Sequence, residues 1–382
     1  MATEKLYYAD CRLNTFTATV TGCEKGENGW LVTLSATAFY PEGGGQACDL
    51  GRLGSANVLD VQECGDEIHH LCDKPLTIGE TVAGTIDWDR RFDLMQQHTG
   101  EHIVSGLIHQ KFGWHNTGFH VGKDVMEVDF DGPIPAEDLA AIEEAANRAV
   151  WANLPVKCWY PAENELQDVP YRTKRALPWP VRIVQVPGFD SCACCGVHVA
   201  RTGEIGLIKI LSCVKFHQGV RFEMVCGGRA YRWMAAVFDQ NRQVSQAFSA
   251  KLLETGDAAR KVNEALAAEK FRTAALNKRI FANIAEKYAG SKDVLLFEPG
   301  LESAQVRELA DRIAESITGF VAVFSGEDGA YSYCLAAREG DLRELGRAMT
   351  ASLNGRGGGK PNFQQGSVKA TKSQITAFFA AK

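Results

Sequence analysis

From Arg229 to Tyr288 the chain runs for 60 residues with one glycine and no proline, rich in Ala, Lys, Glu and Arg. A stretch of that composition reads as helix. Val237, Val244, Phe248 and Leu252 mark one apolar stripe, and Val262, Leu266, Leu276, Ile280 and Ile284 mark a second. Thr255-Gly256-Asp257 lies between them and predicts a break. Two long helices paired as an antiparallel hairpin are the simplest outcome. Such a hairpin serves as a spacer or as a homodimer interface in the C-terminal half. It also divides the chain, because the segments before and after it must each bury a core of their own.

Both flanks have the length to do so. At roughly 100–200 residues per domain, 382 residues suggest two to four domains. Residues 1–90 alternate apolar and polar, as in Trp30-Leu31-Val32-Thr33-Leu34 and Ala56-Asn57-Val58-Leu59-Asp60-Val61, with turn signals at Glu27-Asn28-Gly29 and Cys64-Gly65-Asp66. That pattern suits a small β-barrel. Asp87 to Phe112 has apolar residues at spacings of three and four and predicts a helix. Strands are expected at 124–131, 182–186, 204–211 and 220–225, with a second helix from Pro135 to about Asn153. After Lys292 a βα pattern resumes, with strands at 294–297, 319–324 and 331–336 and helices at 302–317 and 340–353. The expected fold is therefore a multidomain α+β and α/β chain. It has a β-barrel-like domain (1–90), an α+β core (91–228), the helical hairpin (229–290) and a C-terminal α/β domain (291–382).

Charge divides along the same line. The formal net charge is −6. Residues 1–228 hold 19 Lys/Arg against 30 Asp/Glu, and residues 229–382 hold 22 against 17. From Arg347 onward there are six basic residues, the last being Lys382, and no acid. Such asymmetry suits an arm that meets a polyanion. No apolar run approaches the ~18 residues of a spanning helix, and the first residues lack the apolar core of a signal peptide. A cytoplasmic protein with no membrane association is expected.

Twelve cysteines in a reducing compartment argue against disulfides. Nine are scattered singly, but Cys192, Cys194 and Cys195 cluster, with His198 just beyond. His98-Thr99-Gly100-Glu101-His102 sets two imidazoles at i and i+4, on one helix face. Joining His98 and His102 to Cys194 and His198 gives three nitrogens and one sulfur, a set suited to tetrahedral Zn²⁺. Cys192 and Cys195 compete for the thiolate role. Read as His-x-x-Glu-His, the same helix matches the inverzincin metallopeptidases, with Glu101 as base. Glu101 is the obvious carboxylate near the ion in either reading. A third element is Gly43-Gly44-Gly45-Gln46, followed by Asp49 and Gly51. Glycines there let backbone N–H groups approach a ligand, and Gln46 can both donate and accept.

Gly-Gly-Gly-Gln-x-x-Asp-x-Gly, then His-x-x-x-His, then Cys-x-x-x-His, in that order over residues 1–228, resembles the editing domain of alanyl-tRNA synthetase and its free-standing AlaX relatives. The family's Cys-Gly-Gly-Thr-His stands here as Cys194-Cys195-Gly196-Val197-His198. At the other end, Asn354-Gly355-Arg356-Gly357-Gly358-Gly359-Lys360 is no phosphate-binding P-loop, since Asn354 and Pro361 occupy required Gly and Ser/Thr positions. It reads as a flexible glycine loop and is similar to the DHHA1-type domain that ends alanyl-tRNA synthetases. The resemblance implies a zinc-dependent hydrolase that deacylates tRNA(Ala) mischarged with serine or glycine. It implies that Gly43, Gly44, Gly45 and Gln46 hold the aminoacyl group, that Gln46 and Glu101 are the catalytic candidates, and that Arg356 and Lys360 contact tRNA. Zinc would position the substrate or polarise a water. The readings set beside it are editing of another aminoacyl-tRNA (threonyl-tRNA synthetase has a related domain), the metallopeptidase, and a non-catalytic tRNA-binding module.

Overall fold

The computed structural model describes residues 2–173 and 177–381, so Lys382 lies outside the described residues. Two compact units are present, Met1–Gln243 and Val244–Lys382. The first opens with a closed antiparallel barrel of six strands: Thr15–Gly26, Gly29–Leu34, Gly51–Leu53, Ala56–Cys64, Glu67–Cys72 and Thr81–Ile86. Alternation explains it. In Ala56–Cys64, Ala56 and Val58 face the barrel core while Asn57 and Leu59 face solvent. A register shift between Val58 and Asp60 then turns Val61 inward, although it sits an odd number of residues from Val58.

Asp87 caps the next helix, accepting from Arg90 N at 3.1 Å, and the helix runs from Trp88 to Phe112. Every residue from Leu94 to Gly106 is buried. A helix buried all round is a central element rather than an amphipathic surface one. It packs on an antiparallel sheet ordered Ile208–Phe216, Gly219–Cys226, Met126–Phe130 and Asn116–Val121, and on the helix Ala136–Trp151. It also meets a small sheet of Lys157–Trp159, Ile183–Val186 and Asp190–Ala193.

Three expectations are corrected. The strand expected at 204–211 begins only at Ile208, because Thr202–Ile205 forms a 3₁₀ turn in which Glu204 accepts from Arg201 N at 3.0 Å. The two long helices are Gly227–Ala247 and Thr255–Lys287, so the break falls before Thr255 rather than at Thr255-Gly256-Asp257. Asp257 lies in the first turn of the second helix, where its charge favours the helix N-terminus. The glycine-rich run is not a loop. Gly355–Lys360 is the edge strand of a five-stranded sheet, paired antiparallel with Phe363–Val368, which satisfies backbone groups that a loop would leave to water. Inward from that edge follow Ala330–Ala337, Phe320–Glu327 and Val294–Phe297, the last pair parallel. The helix Ser303–Ala314 covers one face, over Val306, Leu309 and Ile313. Among the described residues no helix is long and apolar enough to cross a membrane.

One buried ion pair ties the barrel to the central helix. Asp49 and Arg91 are both fully buried. Arg91 Nε donates to both carboxylate oxygens at 2.9 Å, and Arg91 Nη2 donates to Ala38 O at 2.6 Å. Asp49 Oδ2 also accepts from Tyr40 N at 2.6 Å. Removing one partner strands a buried charge, so Asp49→Ala and Arg91→Ala should each cost about 3–5 kcal/mol of stability. Glu144→Ala, which breaks the exposed pair with Arg148, should cost at most about 0.5 kcal/mol. Urea melts of the three variants check this, and equal losses at buried and exposed sites would refute it.

Candidate metal centre

The central helix brings His98 and His102 one turn apart, with ring centroids 5.3 Å from each other. The segment after Ala193 folds His198 against them, at 4.5 Å from His98 and 4.7 Å from His102. Cys194 Sγ lies 3.4 Å from His98 Nε2 and 3.5 Å from His198 Nε2. All four candidate ligand atoms fall within 4.8 Å of one another. Two ligands at ~2.0–2.3 Å from a tetrahedral ion stand about 3.3–3.8 Å apart, close to the Cys–His separations here. Gly196 is required at its position, since a Cβ there would sit 2.2 Å from His98 Cε1.

Hydrogen bonds fix which nitrogen of each ring faces the thiol. His98 Nδ1 lies 2.8 Å from Gln46 Oε1, and Val197 N donates to the same atom at 3.3 Å. A backbone N–H can only donate, so this Gln46 atom is the oxygen and His98 Nδ1 carries a proton. His102 Nδ1 lies 2.9 Å from Asp190 Oδ2, an acceptor. His198 Nδ1 lies 3.2 Å from Thr99 Oγ1, whose own proton goes to Met95 O at 2.8 Å. Thr99 therefore accepts from His198. Three Nδ1 protons point outward, leaving three Nε2 lone pairs facing one sulfur. A cation is what such a set holds, and the donors fit zinc.

Burial pushes the Cys194 thiol up, but the facing imidazoles of His98, His102 and His198 outweigh it and hold its pKa well below the usual range. Burial, with His98 nearby, pushes His198 down to about 3. At His102 burial also opposes charge, yet Asp190 and Cys194 raise its pKa well above 6.5. Metal binding there would displace a proton. Of the competing thiols, Cys192 is raised to about 11 by burial, and Cys195 is raised too. Cys192 belongs instead to a second group with His102 and Asp190. Cys195 Sγ accepts from Tyr40 Oη at 3.8 Å and belongs to neither group.

A cavity of about 520 Å³ opens beside the four residues. Gly44 and Gly45 line it, with φ of 60° and 83°, in a two-residue turn closed by reciprocal Gly43–Gln46 backbone bonds of 3.0 Å. Gly43 does not line it. Gln46, expected on the substrate, is buried with its oxygen committed to His98 and Val197, so its place is behind the ligand shell. Glu101 lines the cavity and accepts from Ser105 Oγ and Asn116 Nδ2 through one oxygen. The inverzincin pattern needs a carboxylate as third ligand, and Cys194 and His198 stand there instead. Arg356 and Lys360 are exposed on the edge strand of the second unit.

Sequence reasoning missed Asp190, Arg172 and Asn116. Arg172 grips Asp190 through bonds of 2.7 and 2.9 Å, and so holds His102 in turn. Asn116 is buried in the cavity wall, with Oδ1 unpaired. Asp190 stands two residues before Cys192, which is a usable signal. Arg172 and Asn116 carry none. His98→Ala should abolish zinc binding. Asp190→Asn, which removes charge while keeping shape, should weaken zinc affinity about 10–100-fold. Chelator competition measures both, and an unchanged affinity in Asp190→Asn would remove Asp190 from the site.

Two family profiles match the chain: "Threonyl and Alanyl tRNA synthetase second additional domain" at residues 181–222, and "tRNA synthetases class II (A)" at residues 2–90. The alanyl-tRNA editing protein Aarsd1 of Rattus norvegicus is 30% identical over 382 residues, covering 94% of this chain and 92% of the relative. That of Mus musculus is 29% identical with the same coverage. The alanine–tRNA ligase of Thermofilum pendens is 33% identical over 97% of this chain, but the chain spans only 43% of that ligase's length. With these matches running nearly end to end, the chain belongs to the AlaX-type alanyl-tRNA editing protein family.

Proposed function

We propose that this protein hydrolyses the ester of tRNA(Ala) mischarged with serine or glycine. The observation that carries the reading is the pairing of an N₃S donor set with a cavity wall bearing an unpaired, buried Asn116 Oδ1. A synthetase pocket built for alanine cannot strongly reject a residue that is one methyl smaller or one hydroxyl richer. A second site must therefore read what the first cannot. A serine hydroxyl donating to Asn116 Oδ1 would satisfy that atom, and alanine would leave it bare.

His98, His102, Cys194 and His198 would hold zinc, which supplies a Lewis acid beside the ester. The chain's own groups do the rest. Gly44 and Gly45 bring main chain against the substrate without side-chain bulk. Glu101 is the one carboxylate lining the cavity among the described residues, held by Ser105 and Asn116, and so is placed to accept a proton. The ester is already activated, so modest assistance is enough. Arg356, Lys360 and the basic C-terminal residues would engage the tRNA body.

The test is a deacylation assay on Ser-, Gly- and Ala-tRNA(Ala), with zinc measured on the same sample. Serine should be released fastest and alanine slowest. Glu101→Gln should lower kcat about 10²–10⁴-fold with zinc content unchanged. Asn116→Ala should shrink the serine-over-alanine preference by about 10–100-fold, the equivalent of ~1–3 kcal/mol for a lost buried partner. Equal lifetimes of Ser-tRNA(Ala) with and without the protein would leave a tRNA-binding module in place of an enzyme.

A further inference from the structure

Three consecutive carbonyls of the segment that carries Cys194 are held by one pair of side chains. Arg182 Nη1 donates to Cys194 O at 2.9 Å and to Gly196 O at 2.8 Å, and Tyr8 Oη donates to the carbonyl between them, Cys195 O, at 2.8 Å. The hairpin register puts Arg182 there. Ile183 pairs with Ala193, and one residue further Cys194 N donates to Arg182 O at 3.0 Å. Tyr8 comes from elsewhere, the short helix Leu6–Ala9 that precedes the barrel. The two side chains also hold each other, with the Arg182 guanidinium carbon 4.6 Å from the centre of the Tyr8 ring. Arg182 is only 9% exposed, so its charge has exchanged most of its water for these contacts. Neither residue belongs to the candidate ligand set.

A trans peptide is planar, and its C=O and N–H point in opposite directions. Fixing one carbonyl therefore aims the N–H of the next residue. Tyr8 on Cys195 O turns Gly196 N–H toward Cys194 Sγ, which it meets at 3.3 Å. Arg182 on Gly196 O turns Val197 N–H toward Gln46 Oε1, at 3.3 Å, the atom that accepts from His98 Nδ1. Gln46 Nε2 is buried without a protein partner, so Val197 N–H is what keeps this amide from flipping. A flipped amide would present its NH₂ to His98 Nδ1 and reverse the tautomer of the ring. We infer that Tyr8 and Arg182 are positioning residues for the metal centre: Tyr8 sets how strongly Cys194 donates, and Arg182 fixes the amide of Gln46 and through it the proton of His98. The inference rests on the metal reading of the four residues and is independent of which ester is cleaved. An N–H on a thiolate draws charge from the sulfur, so its loss leaves a stronger electron donor.

The test uses the full chain as Tyr8→Phe and as Arg182→Met. Tyr160→Phe is the control, since its ring packs edge-on against Tyr8 at 6.3 Å and its hydroxyl makes none of these bonds. Each chain is loaded with Co²⁺ in place of zinc, and the thiolate-to-cobalt charge-transfer band is recorded. Tyr8→Phe keeps the ring against Arg182 and should move that band to longer wavelength. Arg182→Met should lower zinc affinity about 10–100-fold in chelator competition. In the metal-free chain, at a pH where the ring is neutral, the nitrogen NMR shifts of His98 should place the proton on Nδ1 in the wild type and show a tautomer mixture in Arg182→Met. Tyr160→Phe should change none of the three. A band that stays in place in Tyr8→Phe would overturn the inference. So would an Arg182→Met chain with unchanged zinc affinity and an unchanged His98 proton. If Arg182→Met fails to fold, Tyr8→Phe decides, because it removes one hydroxyl and keeps the ring contacts. If the wild-type chain takes up neither zinc nor cobalt, the metal reading falls, while the His98 shifts still decide whether Arg182 positions that ring.

Discussion

The Asp49–Arg91 pair is the joint on which the candidate site depends. It joins Asp49, two residues before a barrel strand, to the first turn of the central helix, with Tyr40 N and Ala38 O sharing the same two side chains. Gln46 lies three residues before Asp49, and His98 lies two turns beyond Arg91. The angle between barrel and helix, fixed at the ion pair, decides whether Gln46 reaches His98. A purely apolar joint would bury the same area and tolerate rotation. A fully buried guanidinium–carboxylate pair with every neighbour satisfied does not, because any slip leaves a charge unpaired.

From that joint outward, each imidazole is oriented by a different kind of acceptor: an amide oxygen for His98, a carboxylate for His102, a hydroxyl for His198. The graded basicity makes the three nitrogens unequal donors. His102, backed by Asp190 and through it by Arg172, is the strongest. His198, backed by a hydroxyl, is weaker than His102. Together with Cys194 these residues would hold an ion through ligands of unequal strength.

Local order was legible where one period or one spacing governed it. The helix over His98 and His102, the barrel strands and the sheet strands near 294, 320 and 331 follow from side-chain alternation and capping at Asp87. The four-ligand set was legible because Cys and His are rare enough for their clustering to mean something. What failed did so for physical reasons. Gly256 reads as a breaker in sequence, but glycine is tolerated in a first helical turn whose N–H groups have no intrahelical partner anyway. The run from Gly355 to Lys360 reads as a loop because glycine is a poor strand former, whereas an edge strand needs only one neighbour. The loop that carries Gln46 is legible, and its 2.8 Å approach to His98 is not. Arg91, Thr99 and Asn116 are common residue types, and nothing short of the fold reveals that they meet partners 15 to 99 residues away.

The charge distribution then takes on a different sense. An acidic first unit is a poor general surface for RNA, and in isolation its excess of carboxylates argues against a nucleic-acid substrate. Repulsion over most of a surface narrows the orientations from which a polyanion can approach, provided that the attractive region lies next to the reacting site. The basic C-terminal unit would then supply affinity that is indifferent to orientation, while the acidic unit admits the acceptor end in one pose. In the proposed reading a serine hydroxyl would meet a single buried oxygen, Asn116 Oδ1, and such a contact calls for one pose.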